Sequence, residues 1–152
     1  MLTFLKRKYS RIRGLLGVAT LKKGKPISVG SVLEKQAARR PDKPLILFED
    51  RSITYREFNE AANRYAHLFG SLDFRKGDTV ALFMDNRPEY LIIHAGLSKI
   101  GVVPALVNNN IRGKVLAHAL NIAGARALIV GHEFAADYLS VAREVKLAKP
   151  AL

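Results

Sequence analysis

Thr79-Val80-Ala81-Leu82-Phe83-Met84, Asp85-Asn86-Arg87-Pro88-Glu89, Tyr90-Leu91-Ile92-Ile93-His94-Ala95-Gly96-Leu97-Ser98-Lys99-Ile100, and Gly101 with Val102-Val103-Pro104-Ala105-Leu106-Val107 follow one another in the chain. They read as strand, turn, helix and second strand. The first run is apolar without alternation, as expected of a strand buried on both faces. Asn86 as N-cap, Glu89 three residues on and Pro88 in the first turn open the helix, and Gly101 closes it. This helix is apolar almost all round, which predicts cover on both of its sides.

The pattern continues in both directions. Downstream, Asn110 is expected to cap a helix carrying Val115, Leu116, Ala119, Leu120 and Ala123. A strand over 127–130 and a helix over 133–145 follow. Upstream, Lys76-Gly77-Asp78 is a turn. Before it, Thr54-Tyr55-Arg56-Glu57 is a capping box, in which the threonine oxygen and the glutamate each satisfy an orphan N–H. Tyr55, Phe58, Ala62, Tyr65 and Phe69 then share one helical face, and Gly70 sits at its expected left-handed end. Residues 45–48, the polar turn Glu49-Asp50-Arg51-Ser52 and Ile53 form a hairpin. A further helix is expected to start at Ser31, with Glu34 at its third position, and to stop at Pro41. Strand–helix alternation with near-continuous apolar strands predicts an α/β fold, a partial parallel sheet with flanking helices.

The chain has 152 residues, enough for one domain, and 49% of them are hydrophobic, enough for a packed core. No run of eighteen apolar residues occurs, so no segment reads as a membrane span. The absence of cysteine excludes disulfides, thiolate nucleophiles and Cys-based zinc sites, and fits a reducing, cytoplasmic location.

The net charge of +12 is unevenly placed. Lys6, Arg7, Lys8, Arg11, Arg13, Lys22, Lys23 and Lys25 fall in the first 25 residues, which contain no acid, while the remainder is close to balance. Residues 1–27 therefore read as a basic arm, and 28–152 as the body. Leu2, Leu5, Tyr9, Ile12, Leu16 and Ala19 recur at steps of three and four, one stripe of an amphipathic helix. Two arrangements satisfy that pattern. Lys6, Arg7, Lys8, Arg11, Arg13, Lys22 and Lys23 can contact an anionic membrane surface with the stripe in the acyl boundary, making the protein peripheral. Alternatively the stripe packs on the body and the charges stay in water. Nucleic acid is not an expected partner, because aromatic interleaving beyond Tyr9 is missing.

The body shows no complete active site. Gly96 and Gly101 have the gap of a phosphate-binding P-loop, but Val102-Val103 stand where Lys and Ser/Thr are required. No G-x-G-x-x-G and no G-x-S-x-G is present. His67, His94, His118 and His132 have no ligand spacing, so no metal site is expected. His94 reads as a core or interface residue rather than a base. Asp85-Asn86 and Asn108-Asn109-Asn110 follow strands, where open α/β sheets bind ligands, although capping by Asn86 and Asn110 accounts for them equally simply and is preferred. No catalytic or cofactor-binding residue is assigned.

Two stretches resemble a known family. Ile53-Thr54-Tyr55-Arg56-Glu57-Phe58-Asn59-Glu60-Ala61-Ala62-Asn63-Arg64 is similar to the first core motif of the adenylate-forming (AMP-binding) enzymes, and Leu97-Ser98-Lys99-Ile100-Gly101-Val102-Val103-Pro104-Ala105-Leu106 to their second. Pro41-Asp42-Lys43-Pro44 and Lys76-Gly77-Asp78-Thr79-Val80-Ala81-Leu82 stand at the family's expected places. The run from Ala105 to Gly113, with Ala125-Arg126-Ala127-Leu128-Ile129-Val130-Gly131, is most similar to the fatty-acid transport protein or very-long-chain acyl-CoA synthetase branch. The resemblance covers about residues 29–135.

It implies the N-terminal part of a ligase that uses ATP, Mg2+ and coenzyme A to convert a fatty acid to an acyl-adenylate and then an acyl-CoA. The family's Thr/Ser/Gly-rich phosphate loop, its acidic motifs and its C-terminal lysine are not found here. The body is therefore expected to be an incomplete N-terminal subdomain, inactive as this isolated chain and binding no cofactor alone. Association through an exposed sheet edge is also expected. The alternative is a non-catalytic protein of that fold that docks on a membrane or a partner.

Overall fold

The computed structural model describes residues 28–147. The basic arm, with Lys6, Arg7, Lys8, Arg11, Arg13, Lys22 and Lys23, lies outside the described residues.

The first helix, α1, runs Val29–Arg39 and is capped by Ser28, not Ser31. Ser28 Oγ accepts the Ser31 N–H at 3.1 Å, and Ser31 Oγ accepts the Ser28 N–H at 3.1 Å. The box thus sits one turn earlier than the sequence suggested. Ser31, expected as the cap, closes the box from its third position, and Gly30 packs closely on Lys99, where a Cβ would lie 2.8 Å from Lys99 Cγ. Glu34, expected in the cap, instead pairs with Lys99 Nζ at 2.6 Å.

Strands β1 (Pro44–Phe48) and β2 (Arg51–Thr54) form the expected antiparallel hairpin, with Ile46 opposite Ile53 and Phe48 opposite Arg51. Glu49 turns it at φ +51°. Helix α2 (Tyr55–Ser71) opens on the predicted Thr54–Glu57 box: Thr54 Oγ1 accepts the Glu57 N–H at 3.2 Å, and Glu57 Oε2 accepts the Thr54 N–H at 2.8 Å. Its end differs from expectation. Gly70 stays inside the last turn, and Asp73 takes the left-handed conformation at φ +62°. A short polar side chain tolerates that region, and Arg75 Nη2 sits 3.0 Å from the Asp73 carboxylate.

Strands β3 (Thr79–Phe83), β4 (Val103–Leu106) and β5 (Ala127–Val130) form a parallel sheet in the order β4-β3-β5. Helices α3 (Pro88–Lys99) and α4 (Gly113–Ile122) link them. The period of two explains the unbroken apolar run of β3. Val80, Leu82 and Met84 face Phe69, Ile93 and Leu97, while Ala81 and Phe83 face Leu116, Leu120, Leu128 and Phe134. Helix α3 is covered on both sides, as expected. Ile93 and Leu97 meet the sheet, and Ile92 and Ala95 join Leu33, Phe58 and Ala62 in a third cluster beneath the hairpin. Gly96 belongs to this contact and to no phosphate loop, since a Cβ there would lie 2.8 Å from Ala62 O on α2.

The segment after β5 is broken where one helix over 133–145 was expected. A 3-10 turn (His132–Phe134), helix α5 (Ala135–Val141) and a second 3-10 turn (Ala142–Glu144) replace it. The first turn brings Phe134 onto Phe83, with ring centroids 4.8 Å apart. Asn121 holds the far end, donating to Glu144 O and accepting the Lys146 N–H, both at 2.9 Å.

Candidate functional site

The carboxyl ends of the three strands open into one crevice of about 810 Å³. Helix α3, after β3, lies on one face of the sheet; α4 and α5, after β4 and β5, lie on the other. Where successive connections leave a parallel sheet toward opposite faces, the chain ends diverge and a crevice must form.

Asp85 from β3, Asn109 from β4 and Glu133 from β5 meet there. Glu133 Oε1 accepts the Asp85 N–H at 2.8 Å, and Asn109 Nδ2 donates to Asp85 Oδ1 at 2.8 Å. Arg87 Nη1 approaches Glu133 Oε2 at 3.4 Å, and His132 Nδ1 lies 3.2 Å from the same oxygen. At the rims, Arg51 pairs with Glu89 at 3.2 Å and Arg112 Nε with Asp137 at 2.8 Å. Arg112 Nη1 also donates to the carbonyls of Asn109 and Ile111, at 2.7 and 2.8 Å, with its guanidinium 5.0 Å from the Phe134 ring centre.

Burial alone would push the Glu133 carboxyl up. The N–H groups of Asp85 and Glu133 itself, with Arg87 and His132, outweigh it and hold the group below the usual carboxylate range. Glu89 is likewise lowered, first by its own N–H at the start of α3, against opposition from burial and with help from Arg51 and Arg87. Both carboxylates are thus weak bases facing cationic groups, although Glu133 Oε2 makes no hydrogen bond among the described residues. No cysteine is available as a nucleophile. Among the described residues no three His, Asp or Glu side chains converge to hold a metal ion.

The preferred capping roles of Asn86 and Asn110 are not observed. Arg87 is the N-cap of α3, without a side-chain cap bond, because Pro88 occupies the first helical position and forces the residue before it into an extended conformation, φ −138° and ψ 166°. Asn110 gives its N–H to Asn108 Oδ1 at 2.9 Å, and Arg112 is the N-cap of α4. Asn86 instead lines the crevice with Asp85 and Asn109. Sequence reasoning missed Glu133, Arg87 and Arg112, whose partners lie across loops. His94 lines a separate apolar groove beside Leu91 and Ala95, where burial lowers its pKa. Among the described residues no helix is long and apolar enough to cross a membrane.

A parallel three-stranded sheet flanked by helices, with a polar crevice at its carboxyl edge, defines an α/β domain as the class of protein. The family described as AMP-binding enzyme matches residues 33–151, and the chain belongs to that family. Long-chain fatty acid transport protein 6 of Homo sapiens is 38% identical over 125 residues, 82% of this chain and 20% of that protein. Medium/long-chain-fatty-acid–CoA ligase FadD6 of Mycobacterium tuberculosis is 32% identical over 118 residues, 78% of this chain and 20% of that ligase. A solved Mycobacterium tuberculosis fatty acyl CoA synthetase superposes with a TM-score of 0.76 at 25% identity, over 82% of this chain and 26% of the other. The chain therefore spans about a fifth of the length of the curated relatives it matches.

Proposed function

We propose that these residues are the structural N-terminal part of a long-chain or very-long-chain fatty acid–CoA ligase, with the reacting groups supplied by sequence outside them. The overall reaction would join a fatty acid carboxylate to the α-phosphorus of ATP with loss of pyrophosphate. The acyl group would then pass to the coenzyme A thiol, releasing AMP. The observation that carries this reading is the family match over residues 33–151 together with the long-chain fatty acid transport and ligase relatives, and the crevice, with its carboxylates and guanidiniums facing one another, is consistent with it.

The residues present do not fit a triphosphate or its Mg2+. Arg51 and Arg87, and Arg112 next to the crevice, are each committed to a carboxylate, Asp85, Glu89 and Glu133 add negative charge, and among the described residues no lysine-tipped glycine loop faces the space. No step through ATP or the metal is assigned to them. Their part is to hold the loops after β3, β4 and β5 in register, so that the rest of the enzyme closes on a fixed wall. The outer strands β4 and β5, with Val103 and Leu106 half exposed, are where further strands would pair.

Two measurements test the reading. The purified chain should give no ATP–pyrophosphate exchange with palmitate, and clear exchange would overturn the assignment of the reacting groups elsewhere. Residues 28–147 substituted for the matching segment of the Mycobacterium tuberculosis ligase should give a folded chimera that retains palmitate activation. A folded but inactive chimera would show that this wall is built for other chemistry.

A further inference from the structure

An apolar groove of about 700 Å³ lies on the opposite side of α3 from the sheet, walled by α1 and β1. Leu33 and Ala95 are buried in it, but Val29, Val32 and Leu91 on its walls remain 54%, 45% and 49% exposed. Half-exposed aliphatic side chains gathered in one concave surface mark a place that another apolar surface covers.

We propose that this groove is the seat of residues 1–27 of the same chain, laid across α1 and α3 by their apolar stripe. The point of entry favours it, because Ser28 and Val29, the first residues after the arm, already form part of the groove wall. So does the pattern. Leu5, Tyr9, Ile12 and Leu16 recur at three and four, an apolar stripe of the kind that the exposed Val29 and Val32 of the groove wall would bury. The reach is sufficient as well: the nine residue-to-residue steps from Ala19 to Ser28 can span about 30 Å, and Gly24 and Pro26 permit the reversal the path needs. Lys6, Arg7, Lys8, Arg11 and Arg13 flank the stripe and would stay in water. His94, whose pKa burial lowers, is compatible with an apolar occupant.

The test uses the full chain, which has no cysteine of its own. Val32→Cys carries a polarity-sensitive fluorophore, alone and combined with Leu5→Asp, Ile12→Asp and Leu16→Asp. The label should be blue-shifted and shielded from iodide in the first protein. It should become red-shifted and quenched several-fold more in the second, with far-UV dichroism showing that both are folded. Lys6→Gln with Lys8→Gln should leave the label unchanged. A label equally quenched with and without the aspartates would overturn the proposal. So would shielding that appears only with vesicles of phosphatidylcholine and phosphatidylserine, which would place the arm on lipid. Shielding lost on dilution would equally overturn it, by making a second copy the occupant.

Discussion

The two ends of the parallel sheet are built from the same residue types and behave differently. At the amino end, Arg126 Nη1 lies 2.5 Å from Asp78 Oδ2 and donates to Asp73 O at 2.8 Å, while its guanidinium covers the Phe74 ring at 5.2 Å. Asp78 accepts the Arg75 N–H at 2.8 Å as well. Backbone, carboxylate and aromatic face close around one cation. At the carboxyl end, Arg87 and Glu133 stand 3.4 Å apart, and Arg87 Nε is buried with no hydrogen-bond partner among the described residues. The amino end is a latch; the carboxyl end is a wall kept open. Residue type alone does not distinguish them, but what each guanidinium does with its remaining donors does.

Four substitutions sharpen or break this contrast. Phe83→Ala removes the ring that stacks on Phe134 directly beneath the crevice, and should cost about 3–5 kcal/mol in urea unfolding. A loss near the size of a surface substitution would mean the wall does not depend on the core below it. Arg126→Met should lower Tm more than any polar change in the crevice, because it opens the latch at several acceptors at once; an equal or smaller drop would erase the difference between the ends.

Glu133→Gln should cost about 1 kcal/mol at neutral pH, from a charge-assisted bond that solvent partly replaces. The sign with pH follows from linkage. A carboxyl whose folded pKa lies below its unfolded value of about 4.3 stabilises the fold above that value and loses the contribution as pH falls through the folded pKa. Wild type and Glu133→Gln should therefore converge in stability on acidification below about pH 4. A gap that widens there would reverse the assigned direction. Asn109→Ala should be the mildest, at about 0.5 kcal/mol, since water in the open crevice can take its place at Asp85. A cost matching that of Arg126→Met would show the wall to be a latch after all.

Much of the fold was legible because its signals are local. The Thr54–Glu57 box, the apolar run of β3 and the all-round apolar α3 each lie within one turn or one element. The cap positions were not, because Asn86 and Asn110 are good N-caps in isolation, whereas Pro88 and the Arg112 contacts decide the actual starts. Strand order was also invisible: nothing in Ala127-Leu128-Ile129-Val130 says that it pairs with β3 rather than β4. The family was legible from two motifs, yet the crevice network was not. Glu133 meets Asp85 across 48 positions of sequence, and only the fold makes them neighbours.

The placement of β3 between its two later partners has a kinetic side. During synthesis β3 emerges first and can pair on one flank once β4 and α3 have followed. Its other edge cannot be paired until β5 is out, and the face carrying Ala81 and Phe83 stays bare until α4 and the turn after β5 have followed. The middle of this sheet is thus made early and finished late. Over that interval its unpaired backbone edge and its bare apolar face are the parts most exposed to mispairing.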